Sequence, residues 1–313
     1  MPHGIKGPQT TWSPPDNTNT QRKHLSLINL HRLMELTCGV REVVVGLVDG
    51  PVDAQHPDLQ AANIIEIPRV VNGWRDSKGL AAVHGTFVAG VLCAKRTSTA
   101  APGICPGCTL VNRPVFSDAG ANSKAGSQLT AALAELADAI VECVDAGAHV
   151  INVSASVINP MEWSGRRLDQ ALDYAMKRAS LIVAAAGNYG TVASTIMTRH
   201  HWVIPVVAFG LNGRPLGMSN ISASAGRLGV GAPGEHVAGL KPGGGTVSWT
   251  GTSAATPLAT GTLALLRSLL PDVTSAALRQ AVSEAARRRR SLVPPLMNAW
   301  SIYSALRSGM SHM

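Results

Sequence analysis

The chain has 313 residues, 45% of them apolar and only 15% charged, with 31 glycines and a formal net charge of +8. This is enough chain to bury a large core, as one α/β domain or two ordinary ones. No stretch is apolar for long enough to span a membrane, and the basic residues are scattered without interleaved aromatics, which argues against a nucleic-acid partner.

Aromatic residues make up 4% of the chain. The abundant small apolar side chains suit a parallel sheet covered closely by helices on both faces. Residues 1–20 are polar and carry several prolines, without the apolar core of a signal peptide. They read as the flexible tail of a cytoplasmic protein. Gln21 to Cys38 places Leu25, Ile28, Leu33 and Leu36 on one helical face. It is predicted as a single amphipathic helix ended by Gly39.

Val43 to Val48 is a continuous apolar run, as a central parallel strand should be. It ends in Asp49, at the strand end where α/β sheets place their sites. An Asp-Gly pair is also ordinary turn chemistry. His84 opens a second predicted helix, whose Gly85, Ala89 and Gly90 permit close packing. A histidine there is a candidate base, or a satisfied loop residue. Leu110 to Val115, Val150 to Val153, Leu181 to Ala186 and Val203 to Ala208 read as further strands. Helices are predicted over Ser127 to Ala146 and Leu168 to Ala179. Asn188, between Gly187 and Tyr189, is either a turn residue or an amide aimed into a site. Gly229 to Gly234 reads as a Gly-rich lead into the last segment. Ser275 to Ala286 is a helix, and Arg287 to Arg290 its solvated basic end, favourable to the helix dipole. The alternation predicts an α/β fold: one doubly wound, mostly parallel sheet with right-handed crossovers and helices on both faces, in a single domain over residues 21–313.

The five cysteines are an odd, sparse set and read as mostly reduced thiols. Cys105-Pro106-Gly107-Cys108 has redox or half-zinc spacing, but no second Cys or His pair completes a site. No metal and no cofactor are expected.

Gly251-Thr252-Ser253-Ala254-Ala255-Thr256-Pro257 leads into the apolar run Leu258 to Leu270. It is predicted as a tight turn feeding a buried helix. Ser253 then lies in the first turn, where free backbone N–H groups favour negative charge. A serine hydroxyl there can attack a carbonyl and leave the oxyanion facing those donors. It can equally be a helix cap. An upstream base and an orienting carboxylate decide between the two, and Asp49 and His84 are available.

In this order the motifs resemble the subtilisin-like serine proteases. They are Asp49-Gly50-Pro51-Val52-Asp53 with His56-Pro57-Asp58-Leu59, His84-Gly85-Thr86, Ala186-Gly187-Asn188, and Gly251-Thr252-Ser253 with Ala255-Thr256-Pro257. The resemblance implies an endopeptidase with Ser253 as nucleophile, His84 as general base and acid, Asp49 orienting His84, and Asn188 in the oxyanion hole. It also implies that Ser154, Ala155, Ser156, Ala186 and Gly187 wall the pocket for the residue before the cut, against which an extended substrate adds as a strand. Gly103 to Cys108, Ala146 to Asn152 and Pro242 to Thr246 further resemble the subtilases that mature cyanobactin-type ribosomal peptides. The partner implied is a precursor peptide, cut inside the cell to remove a leader or follower.

Phe87 stands where many relatives have a second histidine, and Ser156 replaces a glycine at the pocket rim. Asp58 matches a calcium ligand of secreted relatives, but the loop Lys95 to Ala101 is basic and lacks the expected asparagine. Macrocyclising relatives carry a helical cap between the Asp and His motifs. Pro51 to Val83 has no obvious room for one, so water is the expected acceptor. The alternatives are a general degradative subtilase and an inactive subtilase that binds peptides.

Overall fold

β1 (Val44–Asp49) is the strand about which the sheet reverses its order. The structure is a computed structural model and describes residues 17–68, 79–96, 101–116, 129, 131–154, 162–287 and 290–310. After β1 the chain forms β2 (Asn63–Glu66) and β3 (Thr109–Pro114), which lie to one side of it. It then crosses back to form β4 (Val150–Val153), β5 (Leu181–Ala185), β6 (Val203–Phe209) and β7 (Val230–Pro233) on the other. The order β2-β3-β1-β4-β5-β6-β7 is parallel throughout. The ends of β1 and its neighbours therefore meet at a topological switch point. An antiparallel pair, β8 (Val237–Leu240) with β9 (Thr246–Trp249), lies outside this sheet.

The helices in chain order are α1 (Asn17–Leu27), α2 (Leu30–Leu36), α3 (Leu80–Cys93), α4 (Leu133–Asp145), α5 (Glu162–Lys177), α6 (Ile196–Arg199), α7 (Ala223–Leu228), α8 (Thr252–Leu269), α9 (Ser275–Arg287) and α10 (Ala299–Met310). Side chains alternate across β1. A Cβ on Gly46 would meet Cys143 of α4, while Asp49 faces α3 on the other side. Asn152, in register with Leu47, bonds to Thr260 of α8. Thus α3 and α8 cover one face and α4 the other. Thr252 to Leu266 is buried along its whole length, which makes α8 the central helix of the core.

The doubly wound architecture matches the sequence reading, with differences in detail. The single helix predicted for Gln21 to Cys38 is two helices. The chain breaks at Asn29, which takes the left-handed conformation (φ 53°) that asparagine tolerates better than most residues. Its N–H closes a turn on the Ser26 carbonyl. The helix also begins at Asn17, inside the stretch read as a tail. His84 lies in the second turn of α3, because the helix starts at Leu80. α4 spans Leu133–Asp145, and Ser127, where the sequence reading starts this helix, lies outside the described residues; Leu129 packs against the core. Gly229 to Gly234 holds a buried parallel strand, β7. The described residues between Pro51 and Gly79 contain β2 and no helix.

Candidate active site

Two glycines bring the end of β1 onto α3. A Cβ on Gly50 would lie 1.8 Å from the Ala81 carbonyl oxygen, and one on Gly85 would lie 2.3 Å from that of Gly50. Only bare backbone allows this approach. Thr86 fastens it, accepting a hydrogen bond from the Asp53 N–H at 2.9 Å. The result is that His84 Nδ1 donates to Asp49 Oδ1 at 2.6 Å. The same oxygen accepts from the Gly50 N–H at 2.6 Å. The donor role follows from the carboxylate partner, and in the neutral ring it selects the tautomer whose Nε2 is the acceptor. Asp49 is fully buried and His84 is 3% exposed.

Three aromatic rings enclose the imidazole. Trp249 meets it edge to face at 5.0 Å between centroids, Phe116 at 6.0 Å in the same manner, and Phe87 at 6.3 Å with a tilted ring. Phe87 therefore packs beside His84. Trp249 ends β9, four residues before Ser253, and so carries the Ser253 segment up to His84.

Ser253 is the second residue of α8 and 5% exposed. Its backbone N–H has no carbonyl one turn earlier in the helix to bond to. Gly251 precedes the helix with φ 140°, a conformation that side chains rarely adopt, and its N–H donates to the Gly234 carbonyl at 2.8 Å. Among the described residues no hydrogen bond joins Ser253 to His84; catalytic bonds of this kind are often long before substrate binds.

Asn188 is held by the residue next to Ser253. Its Oδ1 accepts from the Thr252 N–H at 2.8 Å and from the Thr252 hydroxyl at 2.9 Å. That hydroxyl also accepts from the Gly187 N–H at 3.2 Å. These bonds occupy the amide oxygen and leave the two N–H groups of the Asn188 amide as its remaining donors. Ser154 follows β4, and its hydroxyl accepts from the Asn152 amide at 2.9 Å. Ala186 and Gly187 follow β5, Gly187 with φ 105°. Ala155 and Ser156, the other pocket residues expected from sequence, lie outside the described residues.

The subtilase family model matches residues 40–299. The chain belongs to the subtilase family. A thermostable alkaline protease of Halalkalibacterium halodurans is 30% identical over 74% of this chain and 59% of its own length. The chain thus spans about three fifths of that relative. Among solved structures, the protease domain of PatA is 31% identical with a TM-score of 0.76, over 87% of this chain and 97% of its own. The prenylagaramide maturation protease PagA is 27% identical with a TM-score of 0.75, over 88% of this chain and 98% of its own.

In this subtilase Asp58 forms an ion pair with Lys95 at 2.9 Å. Among the described residues no three His, Cys, Asp or Glu side chains converge as a metal site requires. All five cysteines are free, and burial pushes the Cys143 thiol up to about 12. Cys108 is raised by its hydrogen bond to Cys105 and by burial, so these thiols are poor nucleophiles. Thr252 and Asn220 were not singled out by sequence. Asn220 is 4% exposed and bonds the loop that carries Asn188. Their partners lie about 30 to 65 residues away along the chain, beyond any local pattern.

Proposed function

We propose that this chain is a serine endopeptidase in which Asp49, His84 and Ser253 act as a triad and Asn188 stabilises the oxyanion. The observation that carries it is the 2.6 Å bond from His84 to Asp49 in a site where Asn188 is tied to Thr252, beside Ser253. Ser253 attacks the scissile carbonyl while His84 Nε2 takes its proton and then returns it to the leaving amine. Asp49 holds the ring and stabilises the imidazolium that forms. The Asn188 NH₂ and the Ser253 N–H receive the negative charge on the tetrahedral oxygen. Water then hydrolyses the acyl-enzyme. Ser154, Ala186 and Gly187, with Ala155 and Ser156, form the walls of the pocket for the residue before the cut.

The substrate class follows from similarity to the maturation proteases PatA and PagA: removal of a leader or follower from a ribosomal precursor peptide. Five free thiols fit a reducing compartment, and among the described residues no helix is long and apolar enough to cross a membrane. A fluorophosphonate probe should label Ser253 in the folded protein and fail on Ser253→Ala. Absence of labelling in folded wild-type protein would refute the proposal. Mass spectrometry of the products separates the substrate classes: one cut in a candidate precursor supports maturation, whereas many cuts in unfolded casein indicate a degradative enzyme.

A further inference from the structure

Asn188 stands on a loop with little structure of its own. Gly187 (φ 105°) and Gly190 (φ 62°) both take left-handed-side conformations, and Tyr189, Gly190 and Thr191 are exposed. Such a segment cannot use a helix or a strand ladder to bond its backbone, and it has few apolar contacts to hold it.

Backbone bonds hold its far end, from the Gly190 N–H to the Met218 carbonyl at 2.7 Å and from the Ile221 N–H to the Thr191 carbonyl at 3.0 Å, and one buried side chain adds the rest. Asn220 Oδ1 accepts three hydrogen bonds from the loop: from the Tyr189 N–H at 3.0 Å, the Thr191 hydroxyl at 3.1 Å and the Thr191 N–H at 3.3 Å. Its Nδ2 donates to the Ala186 carbonyl at 3.2 Å, and its backbone N–H to the Gly187 carbonyl at 2.8 Å. The loop is therefore gripped on both sides of Asn188 by a residue that is 4% exposed. The grip is anchored in turn. Ser219 donates through its hydroxyl to the Ala208 carbonyl of β6 at 3.2 Å, and the Ala208 N–H donates back to that hydroxyl at 3.2 Å.

Asn188 is thus fixed at two points. Thr252 holds its side-chain oxygen, which sets the direction of the NH₂, and Asn220 holds its backbone, which sets where the amide begins. The backbone bonds of Gly190 and Thr191 lie on the far side of Asn188, so Asn220 is the side chain that ties Ala186 before Asn188 to Tyr189 and Thr191 after it. Oxyanion stabilisation depends on donors that are already in place when charge develops, and a displacement of about 1 Å can cost about 100-fold.

We infer that Asn220 is a positioning residue for the reaction, acting through Asn188 by locking the loop Ala186–Thr191 in the geometry the oxyanion hole needs. The inference rests on the catalytic roles proposed above, and its test keeps the two apart.

The test is a double-mutant cycle read by the maximal rate of phosphonylation of Ser253 by a fluorophosphonate, which requires no knowledge of the natural substrate. Wild-type labelling establishes the proposed chemistry; a folded wild type that does not label refutes that proposal and with it this one. Given labelling, Asn220→Ala lowers the maximal rate by about 10- to 100-fold with little change in the probe concentration giving half that rate. Asn188→Ala lowers it by about 100- to 1,000-fold. Adding Asn220→Ala to Asn188→Ala then changes the rate less than about threefold, because the group being positioned is gone. If instead the two losses multiply, Asn220 supports the fold in general and the inference is overturned. An unaltered rate in Asn220→Ala overturns it too. Should Asn220→Ala fail to fold, Asn220→Asp keeps the accepting oxygen, loses the donor to Ala186, and serves in the same cycle with the same criterion.

Discussion

His24 predicts a defined loss of stability in acid. It lies on α1, fully buried, beside Glu235 and His236 of the loop before β8. Burial is the largest influence and pulls its pKa from 6.5 down to about 4; the Glu235 carbonyl and carboxylate oppose this, and His236 adds to it. The folded protein thus holds His24 neutral where the unfolded chain protonates it. Stability from this residue is complete above pH 6.5 and falls as the pH drops toward 4, because the unfolded state binds the extra proton. The loss amounts to about 2 kcal/mol at pH 5 and about 3 kcal/mol at pH 4. Urea unfolding of the Ser253→Ala protein, which avoids self-digestion, measures it at pH 7.5, 5 and 4. His24→Leu in that background should come close to the parent at pH 7.5, since a buried polar ring is replaced by an apolar side chain. It should then lose about 3 kcal/mol less than the parent on acidification to pH 4. Equal acid losses in parent and variant would refute the assignment of a buried neutral His24.

Gly251→Ala should abolish most activity. Its Cβ would lie 3.0 Å from both Asn188 Nδ2 and Oδ1 at a φ of 140°, so peptidase turnover should fall by at least the 100- to 1,000-fold, roughly, that loss of this donor costs in subtilisin. Gly85→Ala should drive α3 off the end of β1, since its Cβ would sit 2.3 Å from the Gly50 carbonyl; a histidine NMR spectrum would show loss of the short-bonded His84 Nδ1 proton, and retention of that signal would contradict the packing described. Lys95→Ala should change stability by no more than about 1 kcal/mol in thermal melts, because its partner Asp58 and itself are 20% and 45% exposed.

The central strands were legible because they are buried on both faces and read as unbroken apolar runs, as Val44 to Val48 does. The ends of the sheet were not. β2 is a half-exposed edge strand, Asn63-Ile64-Ile65-Glu66, too short and mixed to stand out. β7 is Val230-Gly231-Ala232-Pro233, whose Gly and Pro read as a loop. Gly231 is needed there because the Phe209 ring lies 2.3 Å from where its Cβ would be, a contact no local pattern contains. The candidate catalytic positions were visible through their characteristic neighbours, although His84 lies in the second turn of α3 and not at its start. The residues that hold them, Thr252 and Asn220, were not, because a Ser-Asn-Ile stretch has no signature until β5 and β6 bring Ala186 and Ala208 alongside it.

Ser253 lies in the first turn of the helix on which the whole interior is assembled, with fifteen consecutive residues from Thr252 to Leu266 out of solvent. Ser253 cannot drift from its place while the rest of the molecule survives, nor can the molecule come apart and leave Ser253 set. Heat should therefore switch this subtilase off in one step, its inactivation curve lying on top of its calorimetric melt.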